Sequence, residues 1–457
     1  MVRTSNSSFK DPDGFIFSFQ NSIYRQVNIS YKENYEKLIN SGLYEELQKF
    51  KLLIPHTEVK RLPEIYPNSY KILKPNIVPF ISYPYEWSFS ELKDAALTTL
   101  EIQKISLKYR MTLKDANAYN IQFVEGKPTL IDTLSFEQYV EGEPWKPYRQ
   151  FCQHFLAPLA LMSYGDLRLI NLLRTYIDGI PLDLAAKLLP YRTFLSPSLL
   201  FHIHLHAKAQ SRLTSKKIGS KAIKRFNKNA LSELIESLGN AISRMSLRSK
   251  KSVWLKYYQN DSYDPRAFEH KAQTIKKFIN FVKPKMVWDL GSNVGTLSRL
   301  ASSEEIETIA FDNDPILVEE NYLQVKENND THLLPLVLDL TNPSPSQGFA
   351  TNERLSLMER GPVDMIFALA LIHHLAIGNN ITFAMLVDFF AKLTRWLVVE
   401  FVPKTDKKVQ QMLSIRKDIF ENYNQKKFEE EFGKFFKIKN RVNLRNSQRS
   451  IYLMEKR

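Results

Sequence analysis

One cysteine, Cys152, occurs in 457 residues. A single thiol excludes an internal disulfide framework and any zinc site built from several cysteines, and it points to a reducing, cytoplasmic compartment with Cys152 buried. The first fifteen residues, MVRTSNSSFKDPDGF, lack an apolar stretch, so no signal peptide is expected. No run approaches the ~18 apolar residues of a membrane span. Repetition at a fixed period is also missing, which removes solenoids and propellers.

What is present is length, core-forming material and positive charge. The chain is too long for one ordinary domain. A hydrophobic fraction of 44% and an aromatic fraction of 12% are enough to bury cores. The formal charge of +14 favours anionic surfaces in general, whether nucleic acid, phospholipid or acidic glycan, and names none of them.

Three blocks follow from composition. Residues 1–210 mix strand-like pieces, GFIFSFQ and NIVPFISYPY, with helical patterns. The clearest helix covers 88–110, with apolar residues at helical spacing and Ser88 and Glu91 placed as a capping box. A basic, polar stretch at 206–230 marks a boundary, so 211–250 reads as a connection. From 251 to 457, the apolar runs MVWDL, TIAFD, LLPLVLDL, DMIFALALI and WLVVEFV alternate with helical patterns. That alternation predicts a doubly wound, Rossmann-like α/β domain. The block before it reads as α+β.

The stretch VWDLGSNVGTLSRLA at 287–301 runs from a strand through a glycine turn into a helix. Such a turn exposes backbone at the carboxyl edge of a parallel sheet, where ligands bind. Gly291 and Gly295 flank Asn293, a residue that tolerates left-handed dihedrals. Three readings remain for the motif alone: a dinucleotide site, an S-adenosylmethionine site, or a turn without ligand. Its neighbours narrow them. Position six after Gly291 is not glycine, against the dinucleotide fingerprint. Asp289 before the turn suits a cationic moiety and would repel a pyrophosphate. Asp312 ends the second strand, where a carboxylate accepts bonds from ribose hydroxyls. The third strand ends in VLDL and offers Asp339, and the fourth ends in His373 and His374.

This series resembles the class I S-adenosylmethionine-dependent methyltransferases. The resemblance implies a mixed sheet ending in an antiparallel hairpin, with S-adenosyl-L-methionine as cofactor. It places Asp289, Gly291, Asn293 and Gly295 at the methionine end, Asp312 at the ribose and Asp339 at the adenine edge. The strings VLDLTNPSPSQGF, ERGPVDMIFALALIHHLAIGNN and VEFVPKTDKKVQ look like the bacterial methyltransferases related to the nodulation protein NoeA, as does LKDANAYNIQFVEGKPTLIDTLSFE in the first half.

Methyl transfer needs a positioned nucleophile and, for a hydroxyl, a base. His374 and His373 are candidates because imidazole titrates near neutrality. Glu400, at the end of the fifth strand, is a third, expected at the cleft edge; a salt bridge is its structural alternative. Trp254, Tyr257, Tyr258 and Tyr263 form an aromatic segment suited to a lid or to packing. The amine-methylating motif of DNA enzymes is absent after the fourth strand, and Cys152 lies outside the domain, against cytosine-C5 chemistry. The expected acceptor is a small molecule, glycan or lipid-linked hydroxyl or amine. A non-catalytic ligand sensor and an RNA or protein methyltransferase are the rivals.

The first half holds a second pattern. Asp115 and Asn120 have the spacing of kinase catalytic loops, and Asp132 follows about a dozen residues on. The block therefore weakly resembles a kinase-like lobe. Leu113 and Lys114 depart from the kinase motif, no glycine-rich loop precedes it, and Lys51, Lys60, Lys71 and Lys74 compete for the phosphate-binding role. A scaffold, an unrelated α+β domain and an active phosphotransferase all remain open. His202, His204 and His206 would share one face of a strand as metal ligands; a helix would scatter them.

Overall fold

The computed structural model describes residues 3–4, 8, 10–20, 22–60, 68–208, 227–247 and 264–457. The aromatic segment with Trp254, Tyr257, Tyr258 and Tyr263 lies outside the described residues, as does most of the basic stretch at 206–230. The chain divides into two compact units. One comprises Met1–Ser249 with Gln347–Arg354, the other Lys250–Ser346 with Leu355–Arg457.

In the first unit, strands β1 (Arg3–Thr4), β2 (Gly14–Phe19), β3 (Ser22–Asn28), β4 (His56–Glu58) and β5 (Ser69–Pro75) form an antiparallel sheet in the order β1-β2-β3-β5-β4. The expected strand at NIVPFISYPY is instead irregular chain that runs into a 3-10 turn at Pro84–Glu86, and the strand lies just before it, at β5. Two prolines in that stretch lack the N–H a ladder needs. The helix expected at 88–110 runs Phe89–Lys108. Its capping box closes as anticipated: the Glu91 N–H donates to Ser88 Oγ at 3.3 Å, and the Ser88 N–H donates to Glu91 Oε2 at 2.7 Å. Two short pairs follow: β6 (Met111–Leu113) with β9 (Phe136–Gln138), and β7 (Ile121–Val124) with β8 (Lys127–Leu130). Within the span read as a connection, helix Lys228–Ser243 buries Leu231, Ile235 and Leu238 in this unit. Its apolar face needed a partner, and the Phe89–Lys108 helix supplies one.

The second unit is built on a seven-stranded sheet. Its strands are β10 (Met286–Leu290), β11 (Glu307–Asp312), β12 (Leu333–Val337), β13 (Val363–Ala368), β14 (Thr394–Phe401), β15 (Phe436–Asn443) and β16 (Ser450–Lys456), in the order β12-β11-β10-β13-β14-β16-β15. The first five are parallel, and β16 runs antiparallel to β14 and β15. This is the mixed sheet with a terminal hairpin that the methyltransferase resemblance implies. Val287, Trp288, Asp289 and Leu290 of β10 are all buried, because helices cover both faces of a parallel sheet. Helix Pro265–Val282 covers one face, packing Ile275, Phe278 and Ile279 against Val287, Met365 and Val398. It starts cleanly because Asp264 Oδ1 accepts the N–H of Arg266 at 2.8 Å and Pro265 occupies the first turn. The chain leaves β10 toward β11 on one side and returns to β13 on the other. The carboxyl ends of β10 and β13 therefore flank the switch point where open α/β sheets bind ligands.

Candidate functional site

A cavity of about 290 Å³ opens at that point. Gly291 and Asn293 of the first turn line it, with Asp312 at the end of β11 and Asn313 just beyond, Asp339 and Leu340 after β12, and Leu371, His374 and Leu375 after β13. Gly291 has φ +79°, and a β-carbon there would meet Leu371 Cδ1 at 3.2 Å. Asn293 is left-handed too, with φ 54°, as its side chain permits. Ala370, also on the cavity wall, has φ 51° without that excuse. Strain of this kind persists where surrounding structure enforces it, typically at ligand sites.

The acids divide in function. Asp312 Oδ2 accepts the Asn293 N–H at 2.8 Å and Oδ1 accepts the Asp314 N–H at 3.0 Å, which ties the two loops together. A carboxylate has about four acceptor sites, so capacity remains for hydroxyls. Burial pushes its carboxyl up to about 6, against the backbone bonds that pull it down. Asp339 is exposed at the rim, its Oδ1 held by the N–H and hydroxyl of Thr341 at 2.8 and 2.7 Å. Asp289 does not line the cavity. It is buried behind the turn, where Ser298 Oγ donates to it at 2.6 Å, and burial raises it to about 6. Gly295 is likewise set back: with φ +75°, its place for a β-carbon is 2.5 Å from the Asn321 amide. Close packing, beyond any ligand, requires glycine there.

The histidines part company. His374 is half-buried and lines the cavity; burial, with Arg449 and Lys408 nearby, lowers its pKa and keeps the ring neutral. His373 is fully buried, and neither ring nitrogen has a hydrogen-bond partner among the described residues. Burial holds it well below the usual imidazole range. The two sit where a helix of wider, π-type winding begins, His374–Gly378, an irregularity common at functional sites. Glu400, expected at the cleft edge, is sealed inside. Its Oε2 is 2.6 Å from Lys271 Nζ and its Oε1 is 3.4 Å from Arg449 Nη1. Arg449 sits immediately before adjacent strand β16, and no local pattern announced either cation.

No family model matches the chain. The nodulation protein NoeA of Rhizobium meliloti (strain 1021) is 34% identical over 459 residues, covering 98% of this chain and 95% of that protein. The chain belongs to the NoeA family. Among solved structures, magnesium protoporphyrin IX methyltransferase (ChlM) from Synechocystis PCC 6803 covers 45% of this NoeA-family chain and 93% of its own, at 15% identity and a TM-score of 0.34. A SAM dependent methyltransferase from Aquifex aeolicus covers 45% and 100%, at 15% and 0.31. The bifunctional kinase-methyltransferase WbdD covers 44% and 41%, at 16% and 0.30.

In the first unit of this NoeA-family chain, Asp115 and Asn120 meet: Asn120 Nδ2 donates to Asp115 Oδ2 at 3.0 Å. Asp132 is close enough to raise the Asp115 carboxyl, after burial. Of the candidate lysines, Lys51 pairs with Glu125 and Lys71 with Glu58. The cation that reaches Asp132 is Arg25 of β3, at 2.7 Å. His202 and His204 fall on a wide helical turn with separate tasks, His202 bonding Tyr148 and Ser237 and His204 bonding Thr193. No metal-ligating cluster occurs among the described residues. Nor is any described helix long and apolar enough to cross a membrane.

Proposed function

We propose that the second unit binds S-adenosyl-L-methionine and methylates a hydroxyl or amine on a small-molecule, glycan or lipid-linked acceptor. The observation that carries this reading is Asp312. It ends the second strand of a 3-2-1-4-5-7-6 sheet and lines the cavity at the carboxyl edge, locked by backbone N–H groups yet with acceptor capacity left. The residues present fit the cofactor. Gly291 and Asn293 keep the turn flat enough for close approach, and Asp312 takes the ribose hydroxyls. Asp339 and Leu340 border the adenine. Asp289 acts from behind the turn, holding Ser298 and adding negative potential for a cationic amino-acid moiety.

Bound there, the cofactor supplies an electrophilic methyl on a sulfonium. The chain's part is to orient the acceptor, exclude water and take its proton. His374 is the base: it lines the cavity, and burial favours its neutral ring, which would take the acceptor's proton. His373 and Glu400 support the site from within.

Calorimetric titration with S-adenosylhomocysteine tests the reading. Micromolar binding, weakened at least tenfold in Asp312→Ala, is expected. Absence of binding to the intact, folded protein overturns it.

A further inference from the structure

The polar set in the first unit is larger than the sequence pattern showed. Arg25 Nη2 is shared between Asp132 Oδ1 at 2.7 Å and Asp11 Oδ2 at 3.0 Å. Lys114, the residue before Asp115, is ion-paired to Asp13, whose other oxygen accepts from Ser30 Oγ at 2.9 Å. The Lys114 ammonium also lies 4.8 Å from the centre of the Tyr31 ring. One short arm, Asp11-Pro12-Asp13, thus places two carboxylates on two cations drawn from distant parts of the chain.

We propose that the first unit carries an anion-binding site, centred on Arg25 and Lys114, for a phosphate-bearing ligand, and that Asp11 and Asp13 occupy it as an internal ligand in this conformation. Three observations lead there. An arginine fork and a lysine point charge that both act on Asp11 form a pair suited to a phosphate chain. Two anionic groups from one arm already satisfy them, as consecutive phosphates would. Charge then explains closure. With the arm in place, three carboxylates (Asp11, Asp13, Asp132) pair with two cations, and a further anion is repelled. With it displaced, one carboxylate is left to two cations.

The arm can yield without unfolding. Its backbone is anchored independently: Asn28 Nδ2 donates to the Pro12 carbonyl at 2.9 Å, and the Asn28 N–H donates to the Asp13 carbonyl at 2.8 Å. Exchange therefore needs rotation of two side chains that are already 25% and 19% exposed, with release of the Asp13 N–H from Asp11 Oδ1 and of Ser30 Oγ from Asp13 Oδ1. Burial also raises the Asp11 carboxyl, with Asp132 opposing its charge, so the ionised form is held at a cost that an incoming ligand can relieve.

The test is calorimetric titration of the full chain with tripolyphosphate and with ATP, in metal-free buffer. Wild type is expected to bind neither at millimolar concentration. Asp11→Asn/Asp13→Asn is expected to gain at least tenfold, and adding Arg25→Gln to remove the gain. Equal affinities assign the site to the phosphate chain alone; tighter ATP assigns it to a nucleotide. Wild-type binding as strong as the double variant overturns the closure, and a gain untouched by Arg25→Gln overturns the site. Should the double variant not fold, single Asp11→Asn carries the same comparison, with a smaller gain expected and no gain overturning the proposal.

Discussion

Lys271 Nζ lies 2.6 Å from Glu400 Oε2, with both side chains closed off from solvent. Arg449 joins them, bonding Asp406 Oδ2 through Nε at 2.7 Å. Helix Pro265–Val282, strand β14 and strand β16 are thereby tied together at the carboxyl end of the sheet. Removing one member of such a network strands the others as uncompensated buried charges, at a cost of about 3–5 kcal/mol. Glu400→Gln is expected to lower the unfolding free energy by roughly that amount in urea titration. The folded fraction should still bind S-adenosylhomocysteine within about threefold of wild type, since Glu400 does not line the cavity. A stable variant that has lost methyl transfer would return Glu400 to the chemistry.

The adjacent histidines should respond in opposite ways. His374→Ala is expected to keep cofactor affinity and lose methyl transfer by about a hundredfold or more, the usual contribution of a general base. Incorporation of labelled methyl into fractionated extract reads this. His373→Leu removes two buried nitrogens that have no hydrogen-bond partner among the described residues, so stability should hold or rise by about 1 kcal/mol. Its thermal midpoint is the measurement, and a large fall would reveal a bonded role for that ring.

Asp289 and Asp312 are both raised by burial to about 6. Between pH 4 and 6, the folded chain therefore holds protons that the unfolded chain has released. These two groups favour folding fully below their ordinary value of 3.8 and lose that contribution as pH climbs to 6. A cationic ligand works the other way, since it prefers the ionised acids. S-adenosylmethionine is expected to bind roughly tenfold more tightly at pH 7.5 than at pH 5, as about a tenth of either acid is ionised at the lower pH. Asp289→Asn should flatten the profile; a flat wild-type profile would remove these acids from cation recognition.

Gly295→Ala places a methyl 2.5 Å from the Asn321 amide, on backbone at φ +75°. A loss of about 2 kcal/mol is expected, from the left-handed penalty plus the clash. Gly291→Ala meets only the flexible end of Leu371, so it should cost less stability and more cofactor affinity. Paired melting and titration of the two variants separate packing from ligand approach.

Much of this molecule is decided locally. Apolar runs of strand length, the Ser88–Glu91 cap and the left-handed Asn293 follow from rules that act within a few residues. They were legible in sequence because period, cap and φ preference are properties of short segments. The parallel sheet and its glycine turn, with Asp312 and His374 at the mouth, follow from the order of such segments. Tertiary structure alone decided which polar groups are consumed. Asp289 turns to Ser298 behind the loop, and Glu400 to cations 129 and 49 residues away. Arg25 reaches Asp132 across more than a hundred residues, while Asp11 and Asp13 fill the place beside it. Buried charges are stable only when paired, and no spacing along the chain specifies a partner brought in from another element.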